Sequence, residues 1–186
     1  MAEIKPYTID VPDTEITKLK NKLAEVTWPD TNEFSNDWNY GAPLGDLKRL
    51  ANYWKDGFDW RAQEKKLNEA VPHFTTNVAI DGFDNLDIHF VHQKSTRPGS
   101  IPLLFVHGWP GSFIEVLKIL PLLTEPAKGP SFHVVAPSLP NYAFSEGVKK
   151  RGFSIPQYAE AMHKVMVKLG YDKYGTSTIS PLATID

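Results

Sequence analysis

A short Gly- and Pro-rich segment, His107–Ser112, combines residue types that can build an anion-binding turn. The segment follows the apolar run Ile101–Val106 directly, and Ser112 and Glu115 have the spacing of a helix capping box. The pattern therefore predicts a turn between a buried strand and a helix start, where open α/β sheets bind ligands. Backbone N–H groups at such a place can donate to developing negative charge.

The glycines and the proline of this turn have separate consequences. Gly108 and Gly111 allow close approach of the backbone, whereas Pro110 removes one donor and stiffens the turn. A strand, a Gly-rich turn and a helix also follow one another in many α/β proteins without any catalytic role. On pattern alone, a purely structural turn therefore stays open beside a catalytic one.

Hydrophobic periodicity divides the chain at about residue 72. Residues 1–72 predict helices joined by Pro- and Asn-rich connections, whereas residues 73–186 predict strands alternating with helices. The expected helices of the first region are about Asp13–Ala24 with Asp13 as its cap, about Leu44–Lys55 with Leu47, Leu50, Ala51 and Trp54 at helical spacing, and a short helix from Asp59.

The second region predicts a mixed sheet. A hairpin is followed by strand–helix–strand–helix units with short connections, which favours antiparallel edge strands and parallel central strands. The expected strands are Phe74–Ile80, Leu86–His92, Ile101–Val106 and Phe132–Ala136, and the expected helices are Ser112–Leu123 and Ser154–Leu169, the latter burying Tyr158, Ala161, Met162, Val165, Met166 and Leu169.

Three segments, in order along the chain, resemble α/β-hydrolase epoxide hydrolases of the microsomal-type branch. His107–Ser112 (HGWPGS) resembles the family's HGxP oxyanion motif, and Trp54–Arg61 (WKDGFDWR) resembles its W-x-D-G-[FY]-D-W-R. Pro137–Ser145 (PSLPNYAFS) resembles P-S-L-P-G-[YF]-G-F-S, with Asn141 and Ala143 in place of two glycines. The resemblance implies an α/β fold: an incomplete α/β-hydrolase sheet with helices on both faces, preceded by a helical N-terminal meander over residues 1–72.

The resemblance also implies a reaction, in which an epoxide and water give a vicinal diol through an aspartyl-ester intermediate without a cofactor. By the same resemblance, the backbone N–H of Trp109 donates to the oxyanion, and the Trp109 ring lines the substrate cavity. His107, Gly108 and Pro110 support that turn. The implied partner is a small apolar epoxide, as in detoxification or secondary metabolism.

Leu169–Tyr174 (LGYDKY) resembles the family's L-G-Y-x-x-Y segment, and the resemblance stops after it. The family's nucleophilic aspartate follows in a G-G-D-x-G elbow, but Ser180 and Pro181 stand at the aspartate and at the next residue here, and proline has no N–H to donate. We therefore expect residues 73–186 to be the first half of a hydrolase core with a non-homologous tail from Gly175. Such a truncated chain lacks the nucleophile, lid, acid and base histidine, and we expect it to be inactive alone.

Two other functions remain open. Gly175–Ile179 nearly fits a G-x-S-x-G serine elbow, in which Ser177 needs His107 or another upstream base. Alternatively, the chain is a non-catalytic fragment that pairs with a full-length relative or binds a small apolar ligand. The strand Ile101–Val106 is then expected at an open sheet edge, which predicts self-association.

Composition limits the remaining classes of function. The 20 Lys and Arg residues and the 22 Asp and Glu residues give a net charge of −2, which offers no basic surface for nucleic acid. The sequence has no cysteine, which excludes disulfides and thiolate metal sites. It has no signal-like N-terminus and no apolar run approaching the roughly 18 residues of a membrane span, so a cytoplasmic location is expected. His89 and His92 point to opposite strand faces, and His73, His133 and His163 read as isolated, so no metal or cofactor site is expected.

Overall fold

The computed structural model describes residues 3–178. They form two compact units, one of residues 10–66 and one of the remaining described residues. The predicted domain boundary at residue 72 and the predicted tail from Gly175 stay predictions.

The unit of residues 10–66 is helical. Helix α1 spans Asp13–Ala24 as predicted, α2 spans Leu44–Asn52, a π-helical turn follows over Tyr53–Gly57, and α3 (Trp60–Ala70) begins at the end of the unit. The predicted cap of α1 is wrong, because Pro12 holds the cap position and the Asp13 side chain instead accepts a bond from Arg61.

The second helix ends earlier than predicted, and most of the apolar residues at helical spacing along it are exposed. Leu47, Leu50 and Trp54 are all exposed, and the regular helix ends at Asn52 before the π-helical turn. Helical spacing places these residues on one face, but it carries no information on whether another element covers that face.

The Glu64 carboxylate on α3 connects separate segments of this unit through hydrogen bonds. Its carboxylate accepts from the backbone N–H of Val11 at 2.7 Å, from the Trp60 indole N–H at 3.0 Å and from the Arg61 guanidinium. Burial alone raises the pKa of Glu64, but these donors outweigh it and lower the pKa below its ordinary value. The buried Glu64 carboxylate therefore has hydrogen-bond partners, and these charge-assisted bonds connect α3 to the chain segment at Val11.

The second unit is built on a six-stranded mixed sheet. The order is β1-β2-β3-β5-β4-β6, with antiparallel pairs β1–β2, β2–β3 and β3–β5 and parallel pairs β4–β5 and β4–β6. This arrangement confirms the predicted fold class. The strands are β1 (Ile4–Tyr7), β2 (His73–Val78), β3 (Leu86–Gln93), β4 (Ile101–Val106), β5 (Phe132–Pro137) and β6 (Gly175–Thr178).

The predicted open edge at Ile101–Val106 is wrong. Strand β6 lies alongside it in parallel, with Leu103 opposite Gly175 and Val106 opposite Thr178. Residues 103–106 of β4 are accordingly buried, whereas all four residues of β6 are exposed. Among the described residues, the edge of the sheet on this side is therefore β6.

The helix predicted over Ser112–Leu123 is broken into two pieces. A 3-10 turn covers Phe113–Val116 and helix α4 covers Leu120–Thr124. Pro121 lacks the N–H that a continuous helix needs at that position, and it is accommodated in the first turn of a new helix.

Helix α5 (Ile155–Lys168) closely matches its prediction and covers one face of the sheet. Ser154 and Gln157 form a capping box at its start. The predicted stripe packs inward, with Ala161, Met162, Val165 and Met166 fully buried against apolar residues of β2 to β5. These side chains form the main core of the unit.

Candidate active site

The His107–Ser112 turn leaves the carboxyl end of β4 and stands at the surface. Val106 and His107 are buried, whereas the Trp109 side chain is 71% exposed. Ser112 accepts from the backbone N–H of Ile114 and starts the 3-10 turn. The backbone thus passes from a buried strand to a helical start within six residues, as its sequence predicts.

His107 joins this turn to the chain that follows β5. The backbone N–H of Leu139 donates to His107 Nε2 at 3.1 Å, so the hydrogen of the neutral ring lies on Nδ1, which donates to the Gly108 carbonyl at 3.0 Å. The ring also packs edge-on against Tyr142, with centroids 5.1 Å apart. Both nitrogens are occupied, so His107 acts here as a structural link.

Gly111 is required by close packing beneath the turn. A Cβ atom at this position would collide with the Glu115 carboxylate and would stand 2.8 Å from the Gly108 carbonyl oxygen. The side chain of Glu115 therefore occupies the space that a residue larger than glycine would need. This contact explains the glycine without invoking a positive φ angle.

The Ser138–Ser145 loop forms the neighbouring wall at the same end of the sheet. Asn141 and Ala143 have φ angles of 71° and 44°, so the backbone adopts the left-handed conformation at both positions where the resembling pattern has glycine. Asn141 compensates through its side chain, which accepts from the Val148 N–H at 2.8 Å and donates to the Tyr158 hydroxyl at 3.4 Å. Ala143 has no side-chain hydrogen bond to offset the strain.

The end of β6 emerges beside the His107–Ser112 turn. Because β6 runs parallel to β4 with Thr178 opposite Val106, both strands end at the same edge of the sheet. The predicted nucleophile position, Ser180, and Pro181 lie outside the described residues.

The geometry does not support a serine elbow at Ser177. This residue lies inside β6 opposite Phe105 and is not on a turn. His107, the base considered for it, uses both ring nitrogens in bonds to backbone groups. A serine without a general base is a weak nucleophile.

His73 and His89 are in contact, although the predictions from sequence did not link them. Both rings are buried, and His73 Nδ1 lies 3.0 Å from His89 Nε2. The prediction that His73 is isolated is therefore wrong. The hairpin register contained the signal, since Val91 lies opposite His73 and residue 89 is its diagonal neighbour on the same face. His92 bonds the Tyr171 hydroxyl at 3.1 Å on the opposite face, and His163 bonds the Tyr174 hydroxyl at 2.8 Å.

No group of three His, Cys, Asp or Glu side chains within residues 3–178 is arranged to hold a metal ion. The helices in that part of the chain are also too short and too polar to traverse a bilayer.

Two family models match the sequence. The model described as "Epoxide hydrolase N terminus" matches residues 4–116, and the model described as "alpha/beta hydrolase fold" matches residues 101–177. The second match extends three residues beyond Tyr174, over the first three residues of β6.

The chain is similar to curated and solved epoxide hydrolases. "Epoxide hydrolase 1" of Oryctolagus cuniculus is 39% identical over 180 residues, which are 92% of this chain and 38% of that protein. The structure of Aspergillus niger epoxide hydrolase superposes with a TM-score of 0.81 at 32% identity, over 95% of this chain and 46% of that one. Juvenile hormone epoxide hydrolase of Bombyx mori gives a TM-score of 0.81 at 29% identity over 96% and 42%. The chain thus spans less than half the length of these relatives.

Proposed function

Because the chain belongs to the epoxide hydrolase family of α/β-hydrolases, we propose that its His107–Ser112 turn is the oxyanion site of an epoxide-opening enzyme. In the proposed reaction, a carboxylate attacks an epoxide carbon, the ring C–O bond breaks, the released ring oxygen takes a proton from an acid and an ester forms. Water then adds to the ester carbonyl as a base takes its proton, and the backbone N–H of Trp109 stabilises the oxyanion that develops. The tetrahedral intermediate collapses, its C–O bond to the alkoxy group breaks, the departing oxygen is protonated, and the diol and the free carboxylate are released. His107, Gly108 and Pro110 hold that N–H in place.

The parallel register of β4 and β6 is the observation that carries this proposal. Thr178, the last residue of β6, lies opposite Val106, the last residue of β4 before the turn. A nucleophile at the position of Ser180 is therefore expected to emerge near Trp109. The 71% exposure of the Trp109 side chain also supports a role in lining a cavity for a small apolar epoxide.

The 186-residue chain itself is proposed to be inactive towards epoxides. Serine stands at the expected nucleophile position, and no histidine follows His163 in the printed sequence. A hydroxyl without a base cannot replace a carboxylate that is already ionised at neutral pH. We further propose a cytoplasmic location, in keeping with the absence of a spanning helix among the described residues.

The first experiment measures diol formation from an aryl epoxide such as styrene oxide. The purified 186-residue chain should give no diol above the blank. A chimera that joins residues 1–174 to the following segment of the Aspergillus niger enzyme should form diol, because it regains a carboxylate and a base. Diol formation by the unmodified chain would overturn the proposed inactivity.

Two variants of the chimera test the donor itself. Trp109→Pro removes the backbone N–H and should lower kcat by about 100-fold or more, as the loss of one oxyanion donor does elsewhere. Trp109→Phe keeps that N–H and serves as the matched control, with a much smaller loss expected. A folded Trp109→Pro chimera with undiminished kcat would refute the assignment.

A second candidate function is association through the β6 edge, with a copy of this chain or with a full-length relative. All four residues of β6 are exposed, and β4 is its only strand neighbour among the described residues. Exposed edges favour pairing between chains, and a lysine on such an edge opposes it. Thr176→Lys should therefore shift the sedimentation coefficient towards the monomer, whereas Lys149→Ala, on an exposed surface, should leave it unchanged. A parent chain that sediments as a monomer at every concentration would exclude this candidate.

A further inference from the structure

A buried histidine pair lies in the sheet and takes no part in the proposed chemistry. His73 on β2 and His89 on β3 are 4% and 0% exposed, and their rings stack with centroids 5.2 Å apart. Buried polar side chains require partners for each polar atom. In this pair every ring nitrogen has one.

The hydrogen-bond partners determine which nitrogen of each neutral ring carries the hydrogen. His73 Nε2 lies 3.1 Å from the Leu67 carbonyl oxygen, which can only accept, so His73 carries its hydrogen there. Its Nδ1 then accepts from the Nε2–H of His89 at 3.0 Å. The remaining His89 Nδ1 accepts from the Ser138 hydroxyl at 2.9 Å. The chain of bonds runs from Ser138 to the end of α3, and with both rings neutral each nitrogen has a single, defined role.

The surroundings of the pair are aromatic and uncharged. The rings of Tyr7, Phe113 and Phe144 lie 5.3, 5.0 and 5.4 Å from the His89 ring. They come from β1, the 3-10 turn and the Ser138–Ser145 loop, and Tyr7 is the titratable group among them. The bonded groups on α3 and on the loop are a carbonyl and a hydroxyl.

The carboxylates of β3 and of the chain after the Ser138–Ser145 loop have other partners. Asp87 accepts from the Asn77 amide, and Glu146 is bonded to Lys149. An imidazolium formed at the pair would therefore gain no salt bridge from these groups. Burial lowers the pKa of both rings, that of His89 to about 3.

The pair is connected to the His107–Ser112 turn through two consecutive residues. Ser138 bonds His89 through its side chain, and the next residue, Leu139, donates its N–H to His107 Nε2. Ser145 closes the loop, since its hydroxyl donates to the Ser138 carbonyl at 2.6 Å and accepts from the His89 N–H at 2.9 Å. The Ser138–Ser145 loop therefore bonds His89 through Ser138 and Ser145, and it bonds His107 through Leu139.

We propose that His73 and His89 are positioning residues, which hold the Ser138–Ser145 loop and through it the His107–Ser112 turn, and that a proton on the pair releases this hold. Protonation of His89 converts Nδ1 into a donor and reverses the bond to the Ser138 hydroxyl, while the charge it adds stays buried without a carboxylate partner. Protonation of His73 is accommodated by a change of the His89 tautomer, so a proton on either ring leaves an imidazolium buried among aromatic side chains, and opening to water relieves that cost. The relevance for catalysis rests on the proposed function of the turn, whereas the mechanical link does not.

Hydrogen exchange of the Leu139 amide in the 186-residue chain tests the link directly, because this N–H bonds His107. In the parent, its protection factor should fall about tenfold between pH 7 and pH 5.5, since each proton taken up on opening contributes about tenfold per pH unit below the ordinary histidine pKa. Amides in β4, such as that of Leu104, report whether the loss is local. A Leu139 protection factor that does not depend on pH would overturn the proposal.

Variants separate a positioning role from a general structural one. His89→Phe keeps a ring but removes both bonds, and it should lower Leu139 protection at least tenfold more than Leu104 protection. The double variant His73→Gln with His89→Gln can reproduce the bonds without titrating, so it should restore protection and remove the pH dependence. His163→Gln, which alters an exposed histidine on α5, is the matched control. Equal losses at Leu139 and Leu104 in His89→Phe, with no recovery in the double glutamine variant, would refute the positioning role.

The two proposals can fail independently of each other. Diol formation by the chimera and its loss in Trp109→Pro test the oxyanion site. Amide protection at Leu139 tests the histidine link in the unmodified chain, where no turnover is required.

Discussion

The buried histidines should make the chain unusually sensitive to mild acid. The pKa of His89 falls to about 3 and that of His92 to about 4 in the folded chain, first because both rings are buried. In the unfolded chain both return to the ordinary value of about 6.5. The unfolded state then binds more protons, so the stability that these groups contribute is complete above about pH 6.5 and decreases as the pH falls towards their folded-state pKa values.

The magnitude follows from linkage. For a group that titrates at about 6.5 unfolded and about 3 folded, the free energy of unfolding decreases by about 1.2 kcal/mol between pH 7 and pH 5.5. His92 contributes a similar amount over the same interval, so the two together give about 2.4 kcal/mol. This interval lies above the range in which carboxylates such as Glu64 titrate.

Urea unfolding at pH 7.0 and pH 5.5, followed by tryptophan fluorescence, measures this loss. His89→Gln should reduce the difference between the two pH values by about 1.2 kcal/mol, because one of the titrating groups is removed. His163→Gln is the control, since this histidine is exposed. If His89→Gln retains the full pH dependence of the parent, the burial argument for His89 is wrong.

Three further substitutions test other parts of the structure. Ala143→Gly should raise the free energy of unfolding in urea by about 1 kcal/mol, because glycine accepts the φ of 44° without strain; no gain would contradict the strain. Glu64→Ala should lower the thermal midpoint and cost about 3 kcal/mol, since it strands the donors of Val11, Trp60 and Arg61, and an unchanged midpoint would contradict their importance. Ser177→Ala should leave acetyl-ester hydrolysis at the parent's background rate, and a specific loss would revive the serine elbow.

Local patterns were sufficient wherever one segment defines its own surroundings. The apolar run of β4 identified its strand with the correct bounds, and the caps and stripe of α5 identified its helix within one residue at each end. The His107–Ser112 turn followed from its position between β4 and the 3-10 turn. In each case the signal lies within a few consecutive residues.

The remaining features depend on partners that are distant in sequence. Strand β6 is Gly-, Ser- and Thr-rich and fully exposed, so no apolar pattern marks it, and only the edge of β4 supplies its pairing. The exposure of Leu47 and Leu50 likewise depends on whether another element covers that face of α2, and hydrophobic periodicity does not contain this information. The His73–His89 contact required the hairpin register as well as the two strands.

Among the described residues, the contacts that hold the His107–Ser112 turn come from residues that precede β6. His107 is held by the N–H of Leu139, the following loop is held by Ser145, and Ser138 is held by His89. These contacts join β3, β4 and β5, and none of them uses β6 or the residues after it. The oxyanion geometry is therefore expected to form before the nucleophile is added, and the chimera should acquire activity by gaining a carboxylate and a base at a turn that the parent chain already orders.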